Sequence, residues 1–410
     1  MKSTFFGWRV VWAAFVVAVF GWGLGFYGPP ILMKTVQDRH DWPTWLVSAA
    51  VTFHFLVGAA AVTRLPGLHK RFGIPRVTLG GAALLALGLI AWSQASSPPF
   101  LFVAAGLTGI GWIALGAAAI NAMVSPWFER KRPAALSLAY NGASLGGVIF
   151  SPLLVASIAG VGLTATSLWI GVGMLAILAA LCAKVLRYRP GDLGQLPDGD
   201  LPDAPARLGP ALAPVEALRR DRAFLTLAAG MAFGLFAQIG LIAHLYSLLV
   251  PALGGQGAGF AAGMATACAI FGRTAMGWIM PPHADRRVLA CANYAVQILG
   301  CFALVLADGS DTTLLLIGVA LFGFGIGNTT SLPPLIAQKE FAKADVPRVV
   351  ALAVACGQAT YAFAPAIFGL ARDFASDRAA ILLAACVFAA AIALYLSGRG
   401  AFNAPTRGRA

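Results

Sequence analysis

The chain has 410 residues, 59% hydrophobic and 11% charged, with a mean hydropathy of +0.80; soluble domains carry about 25% charged residues, so a soluble globular protein is excluded. The length leaves room for about a dozen membrane crossings of about 20 residues each, joined by short loops. The formal net charge of +13 lies in loops, which fits membrane topology better than a nucleic-acid partner, and none of the six cysteines forms a CxxC pair, so neither disulfides nor a metal site is expected.

Apolar runs predict twelve helices near 10–33, 44–65, 74–95, 99–126, 133–159, 162–186, 222–250, 258–281, 287–308, 312–337, 347–372 and 376–397. The first run is too long for a signal-peptide core and no cleavage-like site follows it, so it is retained as a helix. Of the 29 Lys and Arg residues, 24 fall in the termini and in the loops after even-numbered helices; Lys34, Arg39, Arg372 and Arg378 fall on the other face, and Arg273 lies within a span. The positive-inside rule then places both termini in the cytoplasm.

Residues 187–221 are rich in Pro, Gly and Asp and read as a cytoplasmic linker. It divides the chain into a six-helix bundle over 1–186 and a second over 222–398, followed by a cytoplasmic tail, 399–410. The halves repeat: the fifth helix begins after Pro133 and contains Pro152, and the eleventh begins after Pro347 and contains Pro365. Two six-helix halves with weak internal symmetry mark transporters that rock one bundle against the other.

At this point the sequence resembles the major facilitator superfamily over nearly its whole length. The family's second-to-third-helix loop usually reads G-x-L-x-D-R-x-G-x-R-R; here Leu68, Arg71, Gly73 and Arg76 match, Pro66 stands at the Gly position and Lys70 at the Asp position. The later copy, Ala284-Asp285-Arg286, keeps the acid. Arg64, Lys70, Arg71, Gly73, Arg76, Asp285 and Arg286 are therefore the expected conformational-switch residues. Within the superfamily the chain is most similar to the monocarboxylate-porter branch and its bacterial relatives. The carriers are Gly7-Trp8-Arg9-Val10-Val11, Asp41-Trp42-Pro43, Phe128-Glu129-Arg130-Lys131-Arg132, Asn141-Gly142-Ala143-Ser144-Leu145-Gly146-Gly147, and Gly272-Arg273 with Gly277. The resemblance implies an all-α integral membrane protein with twelve transmembrane helices in two six-helix bundles. It also implies that Arg273 binds a substrate carboxylate. Where the branch's animal members have an Asp one turn before this Arg, the chain has Ala269; where they have a Lys in the first helix, it has Gly28-Pro29-Pro30.

Read on its own, Arg273 is the only ionised residue well inside an expected span. It either snorkels to the nearer surface, about two turns away, or lines a cavity as an anion-binding cation, for which its planar fork suits a carboxylate. All 16 Asp and Glu lie in loops or at helix ends, which disfavours lipophilic cations as cargo. Neutral polar residues complete the expected substrate-binding set: Tyr27, Asn141, Gln238, Asn328, Gln358 and Tyr361. His244 and His54 are the proton-coupling candidates, against the plain reading of hydrogen-bonded core histidines. Two glycine runs precede proline pairs: Gly21, Gly23, Gly25 and Gly28 before Pro29-Pro30, and Gly323, Gly325 and Gly327 before Pro333-Pro334. They read as bending points or as close helix packing.

The expected function is a secondary transporter in a bacterial inner membrane, moving a small organic anion, a monocarboxylate first, by alternating access, with proton coupling or anion exchange open. It is expected to act as a monomer, without cofactor, metal or nucleic acid. The rival within transporters is an exporter of neutral or amphipathic compounds in which Arg273 is structural. A sensor would need an added soluble region, and an enzyme a cluster of buried acids, bases or metal ligands.

Overall fold

The computed structural model describes residues 5–199, 218, 220–280, 284–307, 311–342 and 345–399, with the backbone alone at Ile279. Most of the linker 187–221, most of the tail 399–410, and the last residue of the eighth and of the ninth expected helix (281 and 308) lie outside the described residues. So do Lys2, Arg207, Arg219, Lys343, Arg407 and Arg409 of the basic set.

Every regular element among the described residues is helical. In chain order the helices are α1 (Gly7–Gly25), α2 (Gly28–His40), α3 (Thr44–Val62), α4 (Leu65–Phe72), α5 (Ile74–Ser93), α6 (Pro98–Ile113) and α7 (Ala117–Val124). There follow α8 (Arg132–Leu181), α9 (Arg222–Ile279), α10 (Arg286–Ala307), α11 (Thr312–Glu340), α12 (Val346–Tyr361), α13 (Ala364–Phe374) and α14 (Asp377–Ser397). Short 3-10 and wider turns lie between some of them.

Ten helical stretches are long and apolar enough to cross a bilayer. Two are too long to cross once: α8 has 50 residues and α9 has 58, or roughly 75 and 87 Å at 1.5 Å per residue, against a core about 30 Å thick. Each is broken by a glycine in the left-handed region, Gly162 (φ 80°) and Gly254 (φ 66°). A Cβ disfavours this conformation, so glycine takes it. With those two breaks the ten stretches make twelve, and the eighth crossing is the part of α9 beyond Gly254.

Three expected helices are interrupted. The first divides at Phe26–Tyr27 into α1 and α2, the fourth at 114–116 into α6 and α7, and the eleventh at 362–363 into α12 and α13. In the first, Pro29 and Pro30 have no N–H to give the preceding turn. The amides of Phe26 and Tyr27 both turn back to the Trp22 carbonyl, at 3.0 and 2.9 Å. The tenth helix behaves differently: α11 runs unbroken through Pro333 and Pro334.

Helix starts are secured in the usual way. Asp221, Asp311 and Ser376 accept backbone N–H bonds in the first turns of α9, α11 and α14. Proline occupies the first turn of several others, where its missing donor is no loss.

The chain forms two compact units: Met1–Ala206 with Gly254–Gly263, and Arg207–Leu253 with Met264–Ala410. The first part of the eighth crossing, Gly254–Gly263, thus groups with the first unit, where a Cβ on Gly259 would stand 3.0 Å from Val155. The first unit also holds the start of the linker. Gln195 Oε1 accepts from the Phe6 amide at 3.0 Å. The Asp198 carboxylate accepts from the amides of Glu129, Arg130 and Lys131 at 3.0, 2.6 and 3.2 Å, just before α8. Burial opposes the charge on Asp198, but these three backbone donors and the nearby Arg130 outweigh it and lower its pKa.

Candidate functional site

In the second unit, α11 lies directly against the inner part of α9. A Cβ on Gly272 would stand 2.0 Å from the Phe324 carbonyl oxygen, one on Gly323 would stand 2.5 Å from that of Ala265, and one on Gly327 would stand 2.5 Å from that of Ala269. Only backbone fits there, so the glycine run of the tenth helix serves close packing. Ala269, at the position of the absent Asp, is 1% exposed.

Arg273 follows this contact and is part-buried. Its Nε donates to the Gly327 carbonyl at 3.3 Å. Across the same contact, Asn328 Nδ2 donates to the Gly272 carbonyl at 3.3 Å and to Asn293 Oδ1 at 3.1 Å. Asn293 Nδ2 in turn donates to the Gly325 carbonyl at 3.2 Å. Gln238 belongs to the same polar layer, donating to Gln297 Oε1 at 3.1 Å and Thr329 Oγ1 at 3.2 Å. Five amide and hydroxyl side chains from α9, α10 and α11 therefore bond to one another or to backbone inside an apolar bundle, as groups shielded from water must. Asn293 and Gln297 were not singled out from the sequence. Their signal is two amides one turn apart in ANYAVQILG.

Asn328 and Gln238 are both fully buried in this layer. Gln358 is part-buried on α12, and Tyr361 is the last residue of that helix, at the break before Pro365. In the first unit, Tyr27 sits at the matching break between α1 and α2. Asn141 is part-buried on α8, next to Gly142, where a Cβ would meet the Phe15 carbonyl oxygen at 2.2 Å. The NGASLGG motif therefore seats on α1 through its glycines.

The two histidines differ. His54 Nδ1 lies 2.9 Å from Thr108 Oγ1, and its ring stacks on Trp112 at 5.6 Å. It is wholly buried, against the rings of Phe55 and Trp112. His244 Nε2 lies 2.9 Å from the Pro365 carbonyl, and Nδ1 lies 3.2 Å from Arg372 Nη1. A guanidinium only donates, so Nδ1 accepts and Nε2 carries the proton. Arg372 also donates to Ser247 and pairs with Asp377 at 2.7 Å.

Among the expected switch residues, Arg64, Lys70, Arg71 and Arg76 are exposed and Gly73 turns the chain with φ 80°. Asp285 accepts from the amides of Arg287 and Val288 at 2.8 and 3.3 Å and pairs with Arg399 at 2.7 Å. The residue missed from the sequence is Arg287, beside Arg286. Its guanidinium is 1% exposed, makes two bonds to the Glu340 carboxylate at 2.7 and 2.8 Å, and donates to Thr226 Oγ1 and the Ala223 carbonyl at 3.0 and 2.8 Å. Among the described residues no group of three His, Cys, Asp or Glu is placed to hold a metal.

The profile of the Major Facilitator Superfamily matches residues 11–365. The chain is similar to "MFS transporter asaE" of Aspergillus flavus, 28% identical over 316 residues, covering 72% of this chain and 63% of that protein. It thus spans less than two thirds of that relative. It is also similar to "Monocarboxylate transporter 13" of Rattus norvegicus, 27% identical over 338 residues, covering 79% and 72%. In three dimensions it resembles the nucleoside transporter NupG, with TM-score 0.70, 12% identity and coverage of 98% and 100%. A bacterial homolog of the human lysosomal transporter Spinster matches with TM-score 0.71, 13% identity and coverage of 98% and 100%. At these identities the two structures speak for the fold alone.

Proposed function

The chain belongs to the Major Facilitator Superfamily, and from that premise we propose that this multi-pass membrane transporter, which is not an enzyme, carries a small organic anion by alternating access. The class is a monocarboxylate. Arg273 holds the anion, and the observation that carries this reading is its place: a cation within an apolar crossing, part-buried, at the close contact of α9 and α11. Relatives named as monocarboxylate transporters support the class. Gln358 and Tyr361 join Arg273 as the candidates of the second unit, and Asn141 and Tyr27 are the candidates of the first; the two tyrosines each stand at a helix break, where backbone groups are freed to line a site.

For coupling, the geometry supports the substrate's own carboxyl, or anion exchange, over the histidines. His54 is enclosed by aromatic rings, and both nitrogens of His244 are engaged. The charge asymmetry of the loops supports cytoplasmic termini; the protein is proposed to lie in a bacterial inner membrane and to act as a monomer. A second reading, export of neutral or amphipathic compounds with Arg273 structural, is favoured by the bond from Arg273 to the Gly327 carbonyl.

Uptake of radiolabelled monocarboxylates into proteoliposomes decides between them. Arg273→Lys and Arg273→Gln should each lower uptake at least 100-fold while the purified proteins keep their unfolding midpoints. Undiminished uptake in both variants would remove Arg273 from the anion site, and absence of monocarboxylate uptake by the wild type would favour the second reading.

A further inference from the structure

Asn328 reads from the sequence as a candidate ligand contact, yet it is 1% exposed and its amide donates inside the unit. Its partners suggest a different role. Arg273, the residue after Gly272, reaches across to the carbonyl of Gly327. Asn328, the residue after Gly327, reaches back to the carbonyl of Gly272. The two bonds form a reciprocal pair around one backbone contact, each side chain gripping the peptide that precedes the other. Asn293, tied to the Gly325 carbonyl, holds the Asn328 amide from the third side.

We propose that Asn328 is a positioning residue for Arg273: it fixes the register and rotation of α9 against α11, and so aims the guanidinium. The proposal rests on the reading that Arg273 is the anion's ligand. The physical reason is the absence of slack. The glycine contact lets the helices touch but offers no side-chain interlock to stop sliding or rotation. The reciprocal pair supplies that interlock at the turn that presents Arg273. An arginine aimed by fixed dipoles loses less side-chain freedom when it takes up a carboxylate.

The test reads Arg273 directly and needs no knowledge of the substrate. The full chain, purified in detergent, is treated with phenylglyoxal, and the modification rate at Arg273 is followed by peptide mass spectrometry. Asn328→Leu keeps the branched shape of the side chain and removes both donated bonds. It should change the rate at Arg273 at least threefold and leave the rates at exposed Arg71 and Arg76 unaltered. Asn293→Ala should give a smaller change in the same direction, and the double variant no more than Asn328→Leu alone, since the two act in series. If Asn328→Leu does not fold, Asn293→Ala carries the test. An unchanged rate at Arg273 in whichever of these variants fold would overturn the proposal and leave Asn328 a packing residue. In parallel, counterflow of labelled pyruvate is compared between the wild type and Arg273→Gln. Equal counterflow there would sink the anion reading without touching the modification result, so the two failures are distinguishable.

Discussion

The loop at 64–76 and the loop at 284–287 carry related basic sequences and reach different structures. In the first, Arg64, Lys70, Arg71 and Arg76 stay exposed, and Arg71 lies over the ring of Phe72 at 5.0 Å without an ion pair among the described residues. In the second, Arg287 enters the bundle and meets Glu340, Thr226 and two backbone carbonyls. The difference starts at the acidic position. Asp285 caps the first turn of α10, just before Arg287; in the first loop the matching sequence position is Lys70, in the last turn of α4, and Gly73 precedes α5. The difference is completed by Glu340 at the end of α11. A carboxylate and further acceptors stabilise an arginine buried as completely as this one.

Four variants would break or sharpen that contrast. The largest effect belongs to Arg287→Ala, which leaves the part-buried Glu340 carboxylate unpaired and should lower stability by about 3 kcal/mol in denaturant unfolding of the purified protein. Pairing Arg287→Met with Glu340→Leu should recover most of the loss, because an apolar pair has no charge to desolvate. A double variant as weak as the single would show that the ion pair is not what separates the loops.

Asp285→Ala comes next, at about 1 kcal/mol, the usual effect of a lost helix cap. The surface pair with Arg399 adds little, since both side chains are more than two-fifths exposed. Burial works against the Asp285 charge, but the Arg287 amide, the Arg399 side chain and the Val288 amide outweigh it and lower its pKa. A lowered folded pKa gives stability that is complete above the unfolded value, about 4, and fades as pH falls below that towards the folded value. The Asp285→Ala difference should therefore be constant near neutrality and shrink below about pH 4; a difference that grew on acidification would contradict the capping role. The smallest effect is that of Arg71→Ala, within about 0.5 kcal/mol, as for exposed residues generally.

Much of this architecture is written in local sequence. Apolar length gives the crossings. The first and tenth helices show where local reading stops. Both carry a glycine run followed by Pro-Pro. In the first, Gly28 abuts Pro29 and the helix parts two residues earlier. In the tenth, five residues separate Gly327 from Pro333, and Thr329, Thr330 and Ser331 turn their hydroxyls back to the Gly325 and Gly327 carbonyls. The spacing was visible; its outcome depends on neighbours far off in the sequence, such as Ala265 and Ala269. The same limit hid Arg287, Asn293 and Gln297. Each looks unremarkable until its partner, 32 to 61 residues distant in sequence, is known. Arg273 was legible because a lone charge in an apolar run needs no partner to be noticed.

The pairing of Gly272-Arg273 with Gly327-Asn328 also bears on how such a chain can change by descent. A side chain at either glycine parts the helices and strands both polar residues. Losing either polar residue leaves one grip unanswered. Substitutions at these four positions should therefore be accepted together or not at all, so that a lineage drifting towards a new cargo would vary the residues around this quartet long before it altered the quartet itself.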